Sequence, residues 1–384
     1  MSELAPQGSL TELTTPALLL DRDKLRANAR RLANHISRLG GTLRPHMKTL
    51  KSIDAATDIF AAGSCSGITV STLKEAEYFA EYGVNDIFYA VGISPNKFAQ
   101  AAALTTKGVE LTLTLDSVEM AQQLATFAEK KSLQFPVLIE LDTDGHRSGT
   151  DPFGADLLAI GDVLERASGV VLRGVMTHAG ESYNCRSDDE ILAISRQERD
   201  HSIAAAQRLR AAGYESPVVS IGSTPTAFAI DDLTGVTEVR AGVYASFDLV
   251  MAGLGVCSQD QIALSVLVTI TGYQKDKQWL ITDGGWMAMS RDRGTASQSR
   301  DFGYGCVVDL EGNPLPLLMS GANQEHGILS PIEEDAAIDF SRFPLGSQLR
   351  ILPNHACATA AQYGCFQVLE QGQLTGTWLR FGGW

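Results

Sequence analysis

The sequence predicts an α/β protein in which a barrel of alternating strands and helices precedes a mainly antiparallel β domain. The first observation is a regular alternation of short apolar runs with helical patterns from residue 16 to about 250, which is typical of parallel strands joined by helical crossovers. The second is a change after about residue 260, where strand-like runs are linked by Gly- and Pro-rich turns. The third is the length of 384 residues, which suits a large barrel plus a smaller module.

The alternating region supplies enough strand–helix units to close a barrel, for which eight or nine suffice. In chain order the strand candidates cover residues 18–21, 42–45, 67–70, 86–90, 111–115, 137–141, 172–177, 218–221 and 238–240. Amphipathic helical patterns lie between them, the clearest at 23–39, 73–82, 117–130, 156–167 and 189–212.

The second domain is predicted from strand-like runs that no long helix separates. They cover residues 263–271, 279–282, 305–310, 348–352 and 366–369. We therefore predict a barrel domain at 14–258 and a β domain at 259–384, and leave open whether residues 1–13 join the second.

The charge balance disfavours nucleic acid and anionic membranes as partners. The net charge is −14, whereas both of those partners require basic patches. No run approaches the roughly 18 apolar residues of a membrane helix, and the N-terminus lacks the basic-then-apolar layout of a signal peptide. The scattered cysteines, at positions 65, 185, 257, 306, 357 and 365, predict free thiols rather than a disulfide framework. We expect a cytoplasmic protein.

Lys48 is the most informative single residue, because it follows the second strand candidate at its carboxyl end. Catalytic groups collect at that end of the strands in barrels of this kind. A lysine amine, once neutral, condenses with an aldehyde to form a Schiff base. On its own, however, a lysine at this place is also compatible with an ordinary surface residue.

Gly222, Ser223 and Thr224 directly follow another strand candidate, ahead of Pro225. Glycine allows close backbone approach, and consecutive N–H groups with two hydroxyls form a site for an anion such as a phosphate. The same residues also make a plain turn. The lysine of a nucleotide-binding P-loop is missing, so we expect a cofactor phosphate rather than a nucleotide.

Further polar residues follow the ends of other strands. Arg147 is placed to donate to a phenolate or carboxylate, or else to pair with Asp142 or Asp144. His178 is either a core histidine or a functional one. The last barrel strand offers two more candidates, Arg240 and Tyr244.

His355 and Cys357 form a candidate metal pair in the second domain. In an extended segment, residues two apart point to the same side, so that imidazole and thiolate can share one metal ion. Zinc suits this mixed nitrogen and sulfur pair, with solvent or substrate completing the coordination. Glu325 and His326 are further polar candidates.

Taken together, these motifs resemble one family, the pyridoxal-phosphate enzymes of alanine-racemase fold in the D-serine dehydratase and D-threonine aldolase branch. The resemblance runs from about residue 14 to the C-terminus and is carried in order by Arg44-Pro-His-Met-Lys48, Gly67–Val70, Asp142 to Gly149, Gly222–Pro225, Glu238–Gly242 and His355-Ala-Cys357. It implies a (β/α)8 TIM barrel followed by a β domain, and a homodimer.

The resemblance also implies a role for each matching residue. Lys48 would hold pyridoxal 5'-phosphate covalently, and Arg147 would steady its phenolic oxygen. The phosphate cup would consist of Gly222, Ser223 and Thr224. The positions that contact the cofactor elsewhere would be His178, Arg240 and Tyr244. The metal pair would be His355 and Cys357, with zinc, manganese, cobalt or magnesium as the divalent ion.

The function implied is the dehydration of a small D-3-hydroxy amino acid, D-serine or 3-hydroxy-D-aspartate, to a 2-oxo acid and ammonia. Cys357 favours this reaction, since the aldolases of the family tend toward an aspartate there. Retro-aldol cleavage is the alternative. Racemisation gives the metal no task, and a non-catalytic carrier of the cofactor would lack the C-terminal β domain.

Overall fold

A computed structural model describes residues 8–63, 67–333 and 335–384, so Cys65 lies outside the described residues. The chain forms two compact units. One, here called the barrel unit, consists of Arg30–Lys48, Phe60–Gly242 and Gly383–Trp384. The other, the sheet unit, consists of Met1–Ala29, Thr49–Ile59 and Val243–Gly382. The predicted domain limits at 14–258 and 259–384 stay a prediction.

The barrel unit contains eight parallel strands that pair in chain order. After β1 (Ala17–Asp21), which belongs to the sheet unit, they are β2 (Leu43–Pro45), β3 (Ile68–Val70), β4 (Asp86–Gly92), β5 (Glu110–Leu115), β6 (Phe135–Leu141), β7 (Val170–Thr177), β8 (Val218–Ile221) and β9 (Glu238–Ala241). The last of these strands, β9, pairs with the first of them, β2. His46 bridges to Thr69, and the Met47 N–H donates to the Thr69 carbonyl at 2.9 Å, which closes the barrel.

The barrel forms because its strands are apolar runs buried by their neighbours. Strand β6 is almost fully buried along its length, as expected for a parallel strand covered on both faces. Inside the barrel, Phe88, Leu138 and Met176 pack together from strands β4, β6 and β7. The predicted (β/α)8 barrel is therefore confirmed.

The helices alternate with these strands, and several begin at side-chain caps. Those of the alternating region are α1 (Arg22–Arg38), α2 (Ile53–Ala61), α3 (Leu73–Glu81), α4 (Phe98–Thr106), α5 (Val118–Lys131), α6 (Asp156–Arg166), α7 (Asp188–Ala211) and α8 (Thr224–Ala229). Thr72, Ser117 and Ser187 accept from backbone N–H groups in the first turns of α3, α5 and α7. Such caps satisfy donors that the helix itself cannot, which places the start of each helix.

The sheet unit contains a nine-stranded, mainly antiparallel sheet. Besides β1 its strands are β10 (Leu264–Gln274), β11 (Trp279–Thr282), β12 (Gly305–Val308), β13 (Pro314–Ala322), β14 (Gly327–Pro331), β15 (Gln348–Pro353), β16 (Cys365–Glu370) and β17 (Gln373–Leu379). The short helices after β9 are α9 (Leu249–Gly253), α10 (Trp286–Met289) and α11 (Ala356–Ala360). The predicted β domain is confirmed.

Strand β1 joins a different sheet from the eight strands that come directly after it, β2 to β9. It runs antiparallel to β10, with Leu20 opposite Leu264, and parallel to β16, with Leu19 opposite Gln367. The first of the nine predicted strand candidates is thus a sheet strand, and the remaining eight build the barrel. A fully apolar run is buried in either sheet, so its composition alone does not identify its partners.

Three strands were not predicted from the sequence: β13, β14 and β17. Much of β13 and β17 is exposed, and the first and third residues of β13 are prolines, so neither strand shows the apolar run that marks a buried strand. The five described cysteines are free thiols, as predicted. Among the described residues, no helix is both long and apolar enough to cross a bilayer.

Candidate active site

Lys48 lies three residues beyond strand β2, at the carboxyl end of the barrel. Its backbone N–H donates to His46 Nδ1 at 3.4 Å. Gly242, just past β9, leaves space beside it, since a Cβ at that position would lie 3.6 Å from Lys48 Cε and 3.3 Å from the His46 carbonyl oxygen. The barrel thus presents a lysine where enzymes of this architecture carry out chemistry.

The predicted residues of the barrel unit come together as a positively charged region. The pKa of His178 lies well below its usual value because of burial and the charges of Lys48, Arg147 and Arg240. Burial and the charges of Lys48 and Arg240 likewise hold the pKa of His46 well below its usual value. Both histidines are therefore neutral near pH 7, and the positive charge comes from the lysine and the arginines. Such a region favours an anionic ligand.

Gly222, Ser223 and Thr224, here called the phosphate loop, connect β8 to helix α8. Gly222 has φ +133°, and a Cβ there would lie 2.1 Å from the Arg240 carbonyl oxygen, so only glycine fits. The Thr224 hydroxyl is buried and has no hydrogen-bond partner among the described residues. A buried hydroxyl without a partner costs free energy unless a ligand supplies one, so this loop fits a phosphate group.

The backbone N–H groups of Gly222 and Ser223 and the Ser223 hydroxyl are already bonded within the protein. The Gly222 N–H donates to Glu198 Oε1 at 2.8 Å, and the Ser223 N–H donates to Thr226 Oγ1 at 3.0 Å. The Ser223 hydroxyl bonds to those of Ser182 and Thr226. Two of the three N–H groups that the sequence analysis expected to face an anion are therefore engaged within the protein, and the Thr224 hydroxyl is a donor that has no partner among the described residues.

Arg240 is buried on strand β9 and held in one orientation. Its guanidinium donates to the Ser220 hydroxyl and to the Thr177 carbonyl. The Ser220 hydroxyl in turn donates to Glu238 Oε1 at 2.6 Å. Burial lowers the pKa of Arg240, and neighbouring carboxylates, Glu238 first, oppose that effect.

Arg147 lies in the loop after β6, with about half of its side chain exposed. Its guanidinium is 3.7 Å from Glu140 Oε1, so its partner is neither Asp142 nor Asp144, which the sequence analysis considered. Asp142 instead accepts from the Gly145 N–H at 2.6 Å and shapes the loop. The exposed guanidinium remains available to an anionic oxygen of a ligand.

The candidate metal pair lies in the sheet unit, where His355 precedes helix α11 and Cys357 occupies its first turn. The predicted extended segment is wrong beyond His355, because Ala356–Ala360 is helical. The two side chains nevertheless contact each other: burial alone would lower the pKa of His355, but hydrogen bonds to Asp292 and Cys357 raise it to about 11. Thr49 Oγ1 lies 3.0 Å from Cys357 Sγ.

The surroundings of this pair fit a metal ion that has two protein ligands. His355 Nδ1 bonds to Asp292 Oδ2 at 2.6 Å, the kind of carboxylate contact that orients a ligating imidazole through its other nitrogen. Among the described residues, no three His, Cys, Asp or Glu side chains group closely enough to hold a metal, so solvent or substrate would complete the coordination. The nitrogen and sulfur donors suit zinc.

The remaining predicted residues are Tyr244, Glu325 and His326. Tyr244 is buried in the 3-10 turn that follows β9, and it belongs to the sheet unit. Glu325 and His326 are exposed in the turn between β13 and β14. Tyr183 is not one of the predicted residues, but its ring lies 6.1 Å from the His178 ring, measured between centroids.

Two site residues were missed or undervalued by sequence reasoning. Glu198 is fully buried beneath the phosphate loop, and its spacing on the apolar face of α7 is a signal that could have identified it. Asp292 is the other, because no sequence pattern shows that it bonds to His355, 63 positions away.

Two family models cover most of the chain. The model described as "Alanine racemase, N-terminal domain" matches residues 20–249, and the model described as "Putative serine dehydratase domain" matches residues 263–369. A D-threo-3-hydroxyaspartate dehydratase from Delftia sp. (strain HT23) is 52% identical over 98% of this chain and 100% of the relative. A D-serine dehydratase from Dictyostelium discoideum is 30% identical over 94% of each chain.

The fold agrees with these relatives. The solved structure of the Delftia sp. HT23 dehydratase superposes with a TM-score of 0.96 at 51% identity, covering 98% of this chain and 100% of that one. The predicted enzyme class, a lyase that dehydrates D-3-hydroxy amino acids, is confirmed by the same similarity. The chain therefore belongs to the alanine-racemase-like, fold-type III pyridoxal-phosphate enzymes, in the branch of the D-serine and D-threo-3-hydroxyaspartate dehydratases.

Proposed function

We propose that this D-3-hydroxy amino acid dehydratase uses pyridoxal phosphate held by Lys48 and zinc held by His355 and Cys357, and that it acts on D-threo-3-hydroxyaspartate. The observation that carries the cofactor proposal is the positive region around Lys48, Arg147 and Arg240, together with the Thr224 hydroxyl, which has no partner among the described residues. The substrate follows the relative that is 52% identical rather than the D-serine dehydratase at 30%.

Lys48 has two tasks in this proposal. Its amine would hold the cofactor, and in its free form Nζ would be the base that takes the proton from the substrate Cα. Bound pyridoxal phosphate supplies the electron sink that makes this proton acidic. Arg240, held by Ser220 and Thr177, places a fixed positive charge in the same positive region.

Hydroxide is a poor leaving group, and the metal pair is proposed to assist its departure. Zinc held by His355 and Cys357 would supply a Lewis acid for the substrate β-hydroxyl. Asp292 keeps the imidazole of His355 oriented, and Thr49 contacts the Cys357 sulfur. Loss of the Cα proton and the β-hydroxyl leaves an enamine, which hydrolyses to a 2-oxo acid and ammonia.

We also propose that the protein is a homodimer, as the family resemblance implies. Analytical ultracentrifugation would test this by measuring the mass of the particle in solution.

A comparison of four substrates tests this function. The purified protein is incubated with D-serine, D-threonine and both 3-hydroxy-D-aspartate diastereomers, and 2-oxo acid and aldehyde are assayed in parallel. We expect 2-oxo acid and ammonia in equal amounts, fastest from D-threo-3-hydroxyaspartate. Aldehyde as the main product would instead establish the alternative, retro-aldol cleavage.

A further inference from the structure

Glu198 is a buried carboxyl to which the proposed function gives no task. It lies on helix α7, on the face whose buried members are Ile191, Ser195, Glu198, Ser202, Ala205, Ala206 and Leu209. An ionisable group on such a face is costly unless hydrogen bonds compensate for its burial. Its contacts therefore indicate what it does.

The carboxyl of Glu198 joins two loops at the carboxyl ends of neighbouring strands. Its Oε1 accepts from the Gly222 N–H, which follows β8, at 2.8 Å. The same oxygen accepts from the Ala179 N–H, which follows β7, at 3.2 Å. The residue before Ala179 is His178, and the residues after Gly222 complete the phosphate loop.

A second hydrogen bond links the same two loops. His178 Nδ1 donates to the Gly222 carbonyl at 3.0 Å, so Gly222 is held at both its N–H and its carbonyl. Two residues further on, the Thr224 hydroxyl lies buried without a partner among the described residues. A shift of Gly222 would therefore move both the imidazole of His178 and the hydroxyl of Thr224.

We propose that Glu198 is a positioning residue that fixes His178 and the phosphate loop for the phosphate group of the cofactor. The inference rests on the proposed function, because it assumes that the phosphate loop binds that group. Glu198 acts through Gly222 and Ala179 and does not itself touch the ligand.

The electrostatic state of Glu198 supports this role. Burial raises its pKa to about 7, although hydrogen bonds from Thr226, Gly222 and Ala179 and the charge of Arg240 oppose the rise. A carboxyl that takes up a proton this readily limits repulsion against a phosphate in the adjacent loop. Either protonation state still offers an oxygen that accepts from the two N–H groups.

The affinities of the apoprotein for pyridoxal phosphate and for pyridoxal, which lacks the phosphate, test the proposal. In Glu198→Ala we expect pyridoxal phosphate to bind at least tenfold more weakly, with the affinity for pyridoxal changed less than threefold. Glu198→Gln keeps an acceptor oxygen and should stay within about threefold of the wild type for both ligands. A purely structural role would weaken both ligands equally.

Ser195→Ala is the matched control, because Ser195 is buried on the same helix and its hydroxyl donates within the helix, to the Leu192 carbonyl. It should bind both ligands as the wild type does. If Glu198→Ala does not fold, Glu198→Asp replaces it, since the shorter side chain cannot reach both N–H groups. A folded Glu198→Ala or Glu198→Asp with wild-type preference for pyridoxal phosphate over pyridoxal overturns the proposal.

The wild-type protein separates this failure from failure of the proposed function. If borohydride does not trap the cofactor on wild-type Lys48, the proposed function fails, and Glu198 loses its role with it. If the wild type traps the cofactor and prefers pyridoxal phosphate, but the Glu198 variants keep that preference, only the positioning role is wrong.

Discussion

At the scale of single residues, one hydrogen bond decides which ring nitrogen of His178 carries the proton. Its Nδ1 donates to the Gly222 carbonyl, and because a carbonyl only accepts, the ring proton is on Nδ1. Burial and nearby positive charges keep its pKa well below the usual value. The ring is therefore neutral at pH 7, which leaves the lysine and arginine side chains as the charges that an anionic cofactor meets.

Replacing Lys48 tests the covalent link to the cofactor. We expect Lys48→Ala to lose the visible absorption band of the bound cofactor, the borohydride-trapped adduct and the activity, because no other amine would take its place. Peptide mapping after reduction measures the adduct directly. Lys130→Ala, on the exposed side of α5, should retain all three. An adduct that persists in Lys48→Ala would assign the cofactor to another lysine.

Thr224→Val tests the phosphate loop at a single hydroxyl. In the apoprotein this hydroxyl has no partner among the described residues, so its removal should not lower the stability of the apoprotein. Loss of a hydrogen bond to a charged phosphate should weaken cofactor binding by about 10- to 100-fold. Titration of the apoprotein with pyridoxal phosphate measures this. Equal affinities in the variant and the wild type would place the phosphate elsewhere.

Cys357→Ala separates the metal from the cofactor. Removal of the thiolate should release zinc and abolish most turnover, whereas the absorption spectrum of the bound cofactor should stay nearly unchanged. Metal analysis and spectroscopy on the same sample check both statements. Cys365→Ala, another half-buried thiol of the sheet unit, is the control and should keep its zinc. Full turnover in metal-free wild-type protein would contradict the role of the metal.

At the scale of elements, the turn between β8 and α8 depends on a close approach of two strands. Gly222 leaves β8 with a positive φ, and its Cα faces the backbone of β9 at Arg240. Ser223 caps helix α8, and its side chain accepts from the Thr226 N–H in a capping box. The absence of a side chain at Gly222 is what allows a short turn to bring the Thr224 hydroxyl to the end of the barrel.

Gly222→Ala should therefore be far more damaging than alanine at an ordinary left-handed glycine. The added Cβ would meet the Arg240 carbonyl oxygen at 2.1 Å, and we expect a loss of more than about 3 kcal/mol in the free energy of unfolding. Gly213 has φ +93°, but no atom of the described residues lies within 4 Å of a Cβ placed there, so Gly213→Ala should lose only about 1 kcal/mol. Urea denaturation compares the two. Similar losses would show that backbone conformation alone governs both positions.

At the scale of the whole molecule, Glu198 should make the stability of the apoprotein depend on pH. Burial raises its pKa from 4.5 to about 7 in the folded state, so the folded protein holds this proton more tightly than the unfolded chain does. Its contribution to stability is therefore fully present below pH 4.5 and is lost as the pH rises through about 7. Relative to Glu198→Gln, we expect the wild type to lose about 3 kcal/mol over this range.

Denaturant unfolding of both apoproteins between pH 4.5 and 8 measures this difference. Other titrating groups, the two buried histidines included, are common to both proteins and cancel. A difference in unfolding free energy that does not vary with pH would show that Glu198 keeps an ordinary pKa in the folded protein.

Most of the architecture was predictable, because buried strands and amphipathic helices differ in the periodicity of their apolar residues. The partners of β1 were not predictable, because an apolar run indicates that a strand is buried but does not indicate which sheet it joins. The exposed strands β13 and β17 lack the signal altogether. In the site, the motifs around Lys48 and Gly222 were recognisable. Asp292 was not, because its bond to His355 arises only when distant segments meet in the fold.

The pairing of β1 has a consequence for synthesis on the ribosome. Its antiparallel neighbour begins at Leu264 and its parallel neighbour pairs through Gln367, so an early segment of the nascent chain waits for partners made hundreds of residues later. Until they emerge, an apolar edge of leucines is unprotected and open to aggregation or to chaperone capture. Strands β10 and β16, which are made much later than β1, therefore decide whether β1 is ever covered.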